Sequence, residues 1–116
     1  MAIIKSYSDL QQSKKLAEIL PLESADMYYD RGGLPSLIDK YVTHESIKND
    51  KYHHLIPCWS LAALLGVIPN YKLSSEHNYH TCAVEIPFGK ETVAWFDNPV
   101  DACVVMIERL HKLKML

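Results

Sequence analysis

The stretch YHTCAVEIPFGKETVAWFD, residues 79–97, decides the fold class. Two runs rich in β-branched, aromatic and small apolar residues, YHTCAVEI and ETVAWFD, flank PFGK, a short turn with glycine after its apex. That is the pattern of an antiparallel hairpin. Pairing Ile86 with Glu91 sets Val84 against Val93, Cys82 against Trp95 and His80 against Asp97. In this register His80, Cys82, Val84, Ile86, Val93 and Trp95 share the face to be covered by helices. Thr81, Ala83, Glu85, Thr92, Ala94 and Phe96 form a more mixed reverse face.

Helices to cover that face lie on both sides of it in the chain. Downstream, Asn98 caps a helix, Pro99 takes its first position and Asp101 sits in its first turn. Val100, Cys103, Val104, Ile107 and Leu110 recur at helical spacing, with Met106 and Leu113 widening the stripe. Upstream, HHLIPCWSLAALLGVIP (residues 53–69) reads as a buried helix with Pro57 in its first turn and with Gly66 and Pro69 ending it. SDLQQSKKLAEILP (residues 8–21) reads as an amphipathic helix. Ser8 is its expected cap, Gln11 its capping-box partner, and Leu10, Leu16, Ala17 and Leu20 its inner face.

Between these helices, SADMYYD (residues 24–30) suggests a short strand that breaks at Gly32 and Gly33. LPSLIDKYV (residues 34–42) has helical spacing, and THESIKNDKYHH (residues 43–54) is polar enough for an exposed loop. The expected architecture is α+β: one domain over residues 1–116, with three main helices on an antiparallel sheet of two to four strands.

Composition narrows the function classes. With 48% hydrophobic and 22% charged residues in 116, the chain can bury a core without staples. A net charge of −2 and scattered lysines, with only Lys112 and Lys114 close together, argue against nucleic acid. No apolar run approaches a membrane span, and the first ten residues do not read as a signal peptide. Three cysteines, Cys58, Cys82 and Cys103, suit reduced thiols in the cytoplasm.

The phrases KLAEILPLESADMYY, IPCWSLAALLGVIP and ACVVMIERLHKL resemble small uncharacterised proteins of gut anaerobic bacteria and their mobile elements. That group has no assigned function, so the resemblance implies no activity, cofactor or site residue.

Three chemistries compete. Residues 53–82 hold His53, His54, His77 and His80 together with Cys58 and Cys82. Zinc takes such ligands, and His77 with His80 is the candidate pair, but no Cys-x2-Cys knuckle is present and no cofactor is expected. For nucleophilic catalysis, Cys58 at a helix start would have its thiol activated by the helix dipole. His53, His54 or His80 would then act as base, and Asp97 would orient His80. Against both stands the tyrosine content, with Tyr28, Tyr29, Tyr41, Tyr52, Tyr71 and Tyr79 beyond what a small core needs. Tyrosine suits interfaces because it joins apolar area to a polar tip. The sequence therefore favours a non-enzymatic protein-binding or adaptor module, self-association included. The alternative is a small thiol- or metal-dependent enzyme using Cys58, His80 and Asp97.

Overall fold

The computed structural model describes residues 5–50, 54–87 and 89–116. His53, one of the candidate bases, lies outside them. The first helix, α1 (Leu10–Ile19), begins one residue later than the sequence suggests. Asp9, not Ser8, caps it, accepting from the Gln12 backbone N–H, while the Gln12 side chain accepts from the Asp9 N–H. Ser8 is withdrawn from capping because tertiary contacts claim its hydroxyl: it bonds Ser13 Oγ at 2.7 Å and accepts from the Trp59 N–H at 3.1 Å. The inner face is accordingly Ser13, Leu16 and Leu20, whereas Leu10 and Ala17 are exposed.

After a 3-10 turn at Leu22–Ser24, a first sheet forms from β1 (Met27–Tyr29), β2 (Pro35–Leu37) and β3 (Ile56–Cys58), in the order β2-β1-β3. Three expectations fail here. Residues 34–42 do not form helical turns. The Asp30 carboxylate accepts from the N–H groups of Gly32 and Leu34 at 2.9 Å, and Gly33 takes a φ of +80°, which turns the chain back onto β1. Of Leu34, Leu37, Ile38 and Tyr41, whose spacing suggests a helical stripe, Ile38 packs against the core and the other three are exposed. Pro57 likewise sits in an edge strand rather than a first helical turn, since β3 pairs with β1 and the missing N–H is tolerated at the edge. The helix starts later, as α3 (Leu61–Val67), capped by Ser60, which Asp26 holds through its backbone N–H and hydroxyl. Only Leu64 of that helix is fully buried. The polar segment from residue 43 is not all loop either. Thr43 and Ser46 form a capping box for α2 (His44–Lys48), and Ile47 is buried.

The second sheet has the order β4-β5-β6, made of β4 (Tyr71–Glu76), β5 (Tyr79–Ile86) and β6 (Gly89–Thr92). The strand β4 was not expected. Its two-residue turn to β5, His77–Asn78, has φ of +50° and +67°, the mirror-image turn that matches strand twist. The β5–β6 hairpin is present, but its register differs from the expected one. Ile86 pairs with Gly89 and Val84 with Glu91, a shift of two residues. An even shift keeps side chains on their faces, so Cys82, Val84 and Val93 remain buried as expected.

Beyond β6 the parity changes. Ala83 pairs with Thr92, yet His80 pairs with Phe96, so Val93, Ala94 and Trp95 stand opposite only Thr81 and Cys82. The extra residue is a β-bulge, held where the Thr81 hydroxyl donates to the Val93 carbonyl at 2.7 Å. It exchanges the faces of the next two residues: Phe96 packs against the core and Trp95 is 48% exposed. The bulge overturns the expected core position of Trp95, and the register shift together with the bulge moves His80 from Asp97 to Phe96.

The last helix, α4 (Pro99–Lys112), follows the sequence closely, with the Asn98 cap, Pro99 at the start and Asp101 in the first turn. Val100, Cys103, Val104, Met106, Ile107 and Leu110 are buried, while Leu113 is exposed. The helix packs on β5, α3 and α1, and α1 also packs on β3. One core of Leu16, Trp59, Leu64, Val84 and the α4 stripe joins the layers of this α+β fold.

Candidate functional site

The thiols come first because the catalytic alternative rests on them. Cys58 is the last residue of β3, two positions before the Ser60 cap, so the dipole of α3 does not begin at it. It is fully buried and shares a polar cluster with Ser8, Ser13 and Tyr29. Its thiol donates to the Ser8 carbonyl at 3.4 Å, which also accepts from the Tyr29 hydroxyl at 2.7 Å. Burial pushes the Cys58 thiol up, outweighing the hydrogen bonds from its neighbours. Cys82 on β5 and Cys103 on α4 are equally buried, and their contact together with burial pushes the Cys103 thiol up. A neutral, enclosed thiol is a poor nucleophile.

Among the described residues, the candidate imidazoles His54 and His80 are not recorded in contact with these thiols. His54 is exposed. His80 is half-buried and lines a depression of about 220 Å³ with Leu61, Leu73, Ser74, Ser75 and Pro99. Asp97 is exposed and accepts from the Asn98 amide at 2.9 Å. His77, in the β4–β5 turn, lines a different depression from His80. Among the described residues, no group of three or more His, Cys, Asp or Glu side chains is arranged to hold a metal ion.

What the tertiary structure does assemble is an open cleft of about 370 Å³ lined by Glu76, His77, Tyr79 and Trp95. Strand pairing brings these residues together. The tight His77–Asn78 turn sets Glu76 directly opposite Tyr79 in the β4–β5 ladder. The bulge then turns Trp95 outward on the neighbouring strand segment. Tyr79 is 54% exposed, so both rings offer much of their surface to solvent. His77 Nε2 lies 3.8 Å from the Glu76 carboxylate, an ion pair only when the imidazole is protonated. Such a surface can bind, by ring faces and one carboxylate, but it holds no activated nucleophile.

The sequence marked two of these four residues, Tyr79 as an interface candidate and His77 as a metal candidate. It placed Trp95 in the core and passed over Glu76. The signal for Glu76 was available in the His-Asn pair, because asparagine adopts positive φ readily and suits a two-residue hairpin. No family model, curated protein or solved structure matches this chain.

Proposed function

We propose that this chain is a non-enzymatic protein-binding module whose contact surface centres on the Tyr79–Trp95 cleft. One observation carries the reading: Trp95 is held outward by a bulge, 48% exposed beside Tyr79, while all three cysteines are buried. Tryptophan and tyrosine dominate binding hot spots because they remove large apolar areas from water and keep a polar tip. Nucleic acid falls outside this reading, since the net charge is −2 and the cleft carries a carboxylate. We read its location as the cytoplasm, where three thiols stay reduced. Among the described residues no helix is long and apolar enough to cross a membrane.

The test is quantitative affinity capture with the wild type, Trp95→Ala and Cys58→Ser, each with an unchanged circular dichroism spectrum. At least one partner held by the wild type and by Cys58→Ser is expected to be lost with Trp95→Ala. Identical capture by all three, with the wild type monomeric in sedimentation velocity, overturns the reading.

A further inference from the structure

We infer that the Tyr79–Trp95 cleft takes an arginine side chain from a basic segment of a partner protein, its guanidinium stacked on Trp95 and forked onto Glu76. The inference rests on the binding reading above and names the ligand chemistry of the same cleft. Ring faces attract cations, and indole does so most strongly. A guanidinium adds what an ammonium lacks: it is flat, so it stacks, and its paired N–H groups match a carboxylate. The cleft has the matching parts, two aromatic rings and the Glu76 carboxylate, whose side chain is 69% exposed. The neighbouring His77 Nε2 stays 3.8 Å away, beyond hydrogen-bond length, and does not cap the carboxylate.

The lysines of the second sheet lie away from this cleft. Lys72 and Lys90 line a different depression, with Asn70, Tyr71 and Glu85, at the opposite end of the strands. The hairpin end carries Glu76, and the exposed Asp97 lies next to the His80–Phe96 bridge. A second copy of the chain is disfavoured as occupant because it brings a further net charge of −2. Of its two arginines, Arg109 is already engaged, donating to the Thr92 carbonyl at 2.7 Å and lying 3.6 Å from Glu91.

The experiment titrates the whole chain with three end-blocked peptides, Gly-Ser-Xaa-Ser-Gly, in which Xaa is arginine, citrulline or phenylalanine. Citrulline keeps the planar shape and removes the charge. Tryptophan fluorescence reports the cleft, because Trp59 has no exposed surface and only Trp95 meets the ligand. The arginine peptide should bind about fivefold more tightly than the citrulline peptide, with the ratio falling toward one in Glu76→Gln and in high salt. Equal affinity for arginine and citrulline, tighter binding of phenylalanine, or no binding of any peptide overturns the arginine assignment. If partner capture still depends on Trp95 in those cases, the cleft remains the contact surface and only its ligand is misassigned. Self-association that Arg31→Ala abolishes also overturns it, since the occupant would then be a second copy.

Discussion

The two tryptophans of this chain occupy opposite settings. Trp59 follows β3 and is completely buried, its indole N–H donating to Ser24 Oγ at 2.9 Å and its backbone N–H to Ser8 Oγ at 3.1 Å. Its carbonyl accepts from the Ser8 N–H at 2.8 Å. Trp95, at the bulge after β6, is half exposed on the end of the second sheet. Among the described residues, every enclosed side-chain nitrogen or oxygen has a partner, those around Trp59 included, as burial requires. Around Trp95, large apolar surface is left in water. The first region holds the molecule together, and the second is where it has surface to offer a partner.

The largest test of that contrast is truncation of each ring. Trp59→Ala should destabilise the fold by about 3–5 kcal/mol, the usual cost of emptying a buried aromatic site. Trp95→Ala should cost no more than about 1 kcal/mol, as expected of a half-exposed side chain away from the core. Urea unfolding of both variants measures the difference. If Trp95→Ala proves the more damaging, the bulge is misplaced and Trp95 belongs to the core.

A smaller effect tests the polar half of the Trp59 region. Ser8→Ala removes the oxygen that Ser13 and the Trp59 N–H share, leaving a buried donor without a partner. The expected cost is about 1–3 kcal/mol, read from the denaturant midpoint at unchanged m-value. A neutral result would mean that water or a shifted Ser13 replaces the lost bond, and that Ser8 does not anchor the strand.

The smallest effect belongs to a region between the two extremes, the partly exposed junction of the α1 and α4 N-termini. There Lys5 lies 2.7 Å from Asp101, which also accepts from Gln12 and Asn98 at 2.8 Å. Burial alone would raise the Asp101 carboxyl, but these hydrogen bonds and the Lys5 charge outweigh it and hold it below the usual range. A carboxyl with a depressed folded value contributes stability above its unfolded pKa of about 3.9 and loses it as the pH falls through the folded value. Stability measured from neutral pH down into that acid range should therefore fall more steeply in the wild type than in Asp101→Asn. Parallel curves would remove Asp101 from the acid response.

Legibility in the sequence followed how local each determinant is. The α4 cap and stripe were readable because Asn98, Pro99 and the spacing from Val100 to Leu110 act within one helix. The apolar identity of Cys82, Val84 and Val93 was readable too, because a two-residue error in register leaves alternation intact. Residues 34–42 were misread because their helical spacing is real, yet Asp30 and Gly33 close a hairpin that supplies backbone partners first. Ser8 was misread as a cap for a related reason: its hydroxyl is worth more to the distant Trp59 and Ser13 than to the helix beside it.

The candidate site shows the same division more sharply. Composition pointed to tyrosines at an interface, and Tyr79 is in the cleft, but nothing local distinguishes Trp95 from Phe96 in the run AWF. Alternation by itself fixes only that successive side chains point opposite ways. Which of the two faces outward depends on a bulge set by pairing with β5, across the strand ladder, and on Phe96 finding space against the core. The sequence by itself determined the helix α4, the hairpin and its apolar strands, because neighbours in the chain carry that information. Only the tertiary structure decided the sheet register, the burial of Cys58 and the outward turn of Trp95, because each depends on residues brought together from distant parts of the chain.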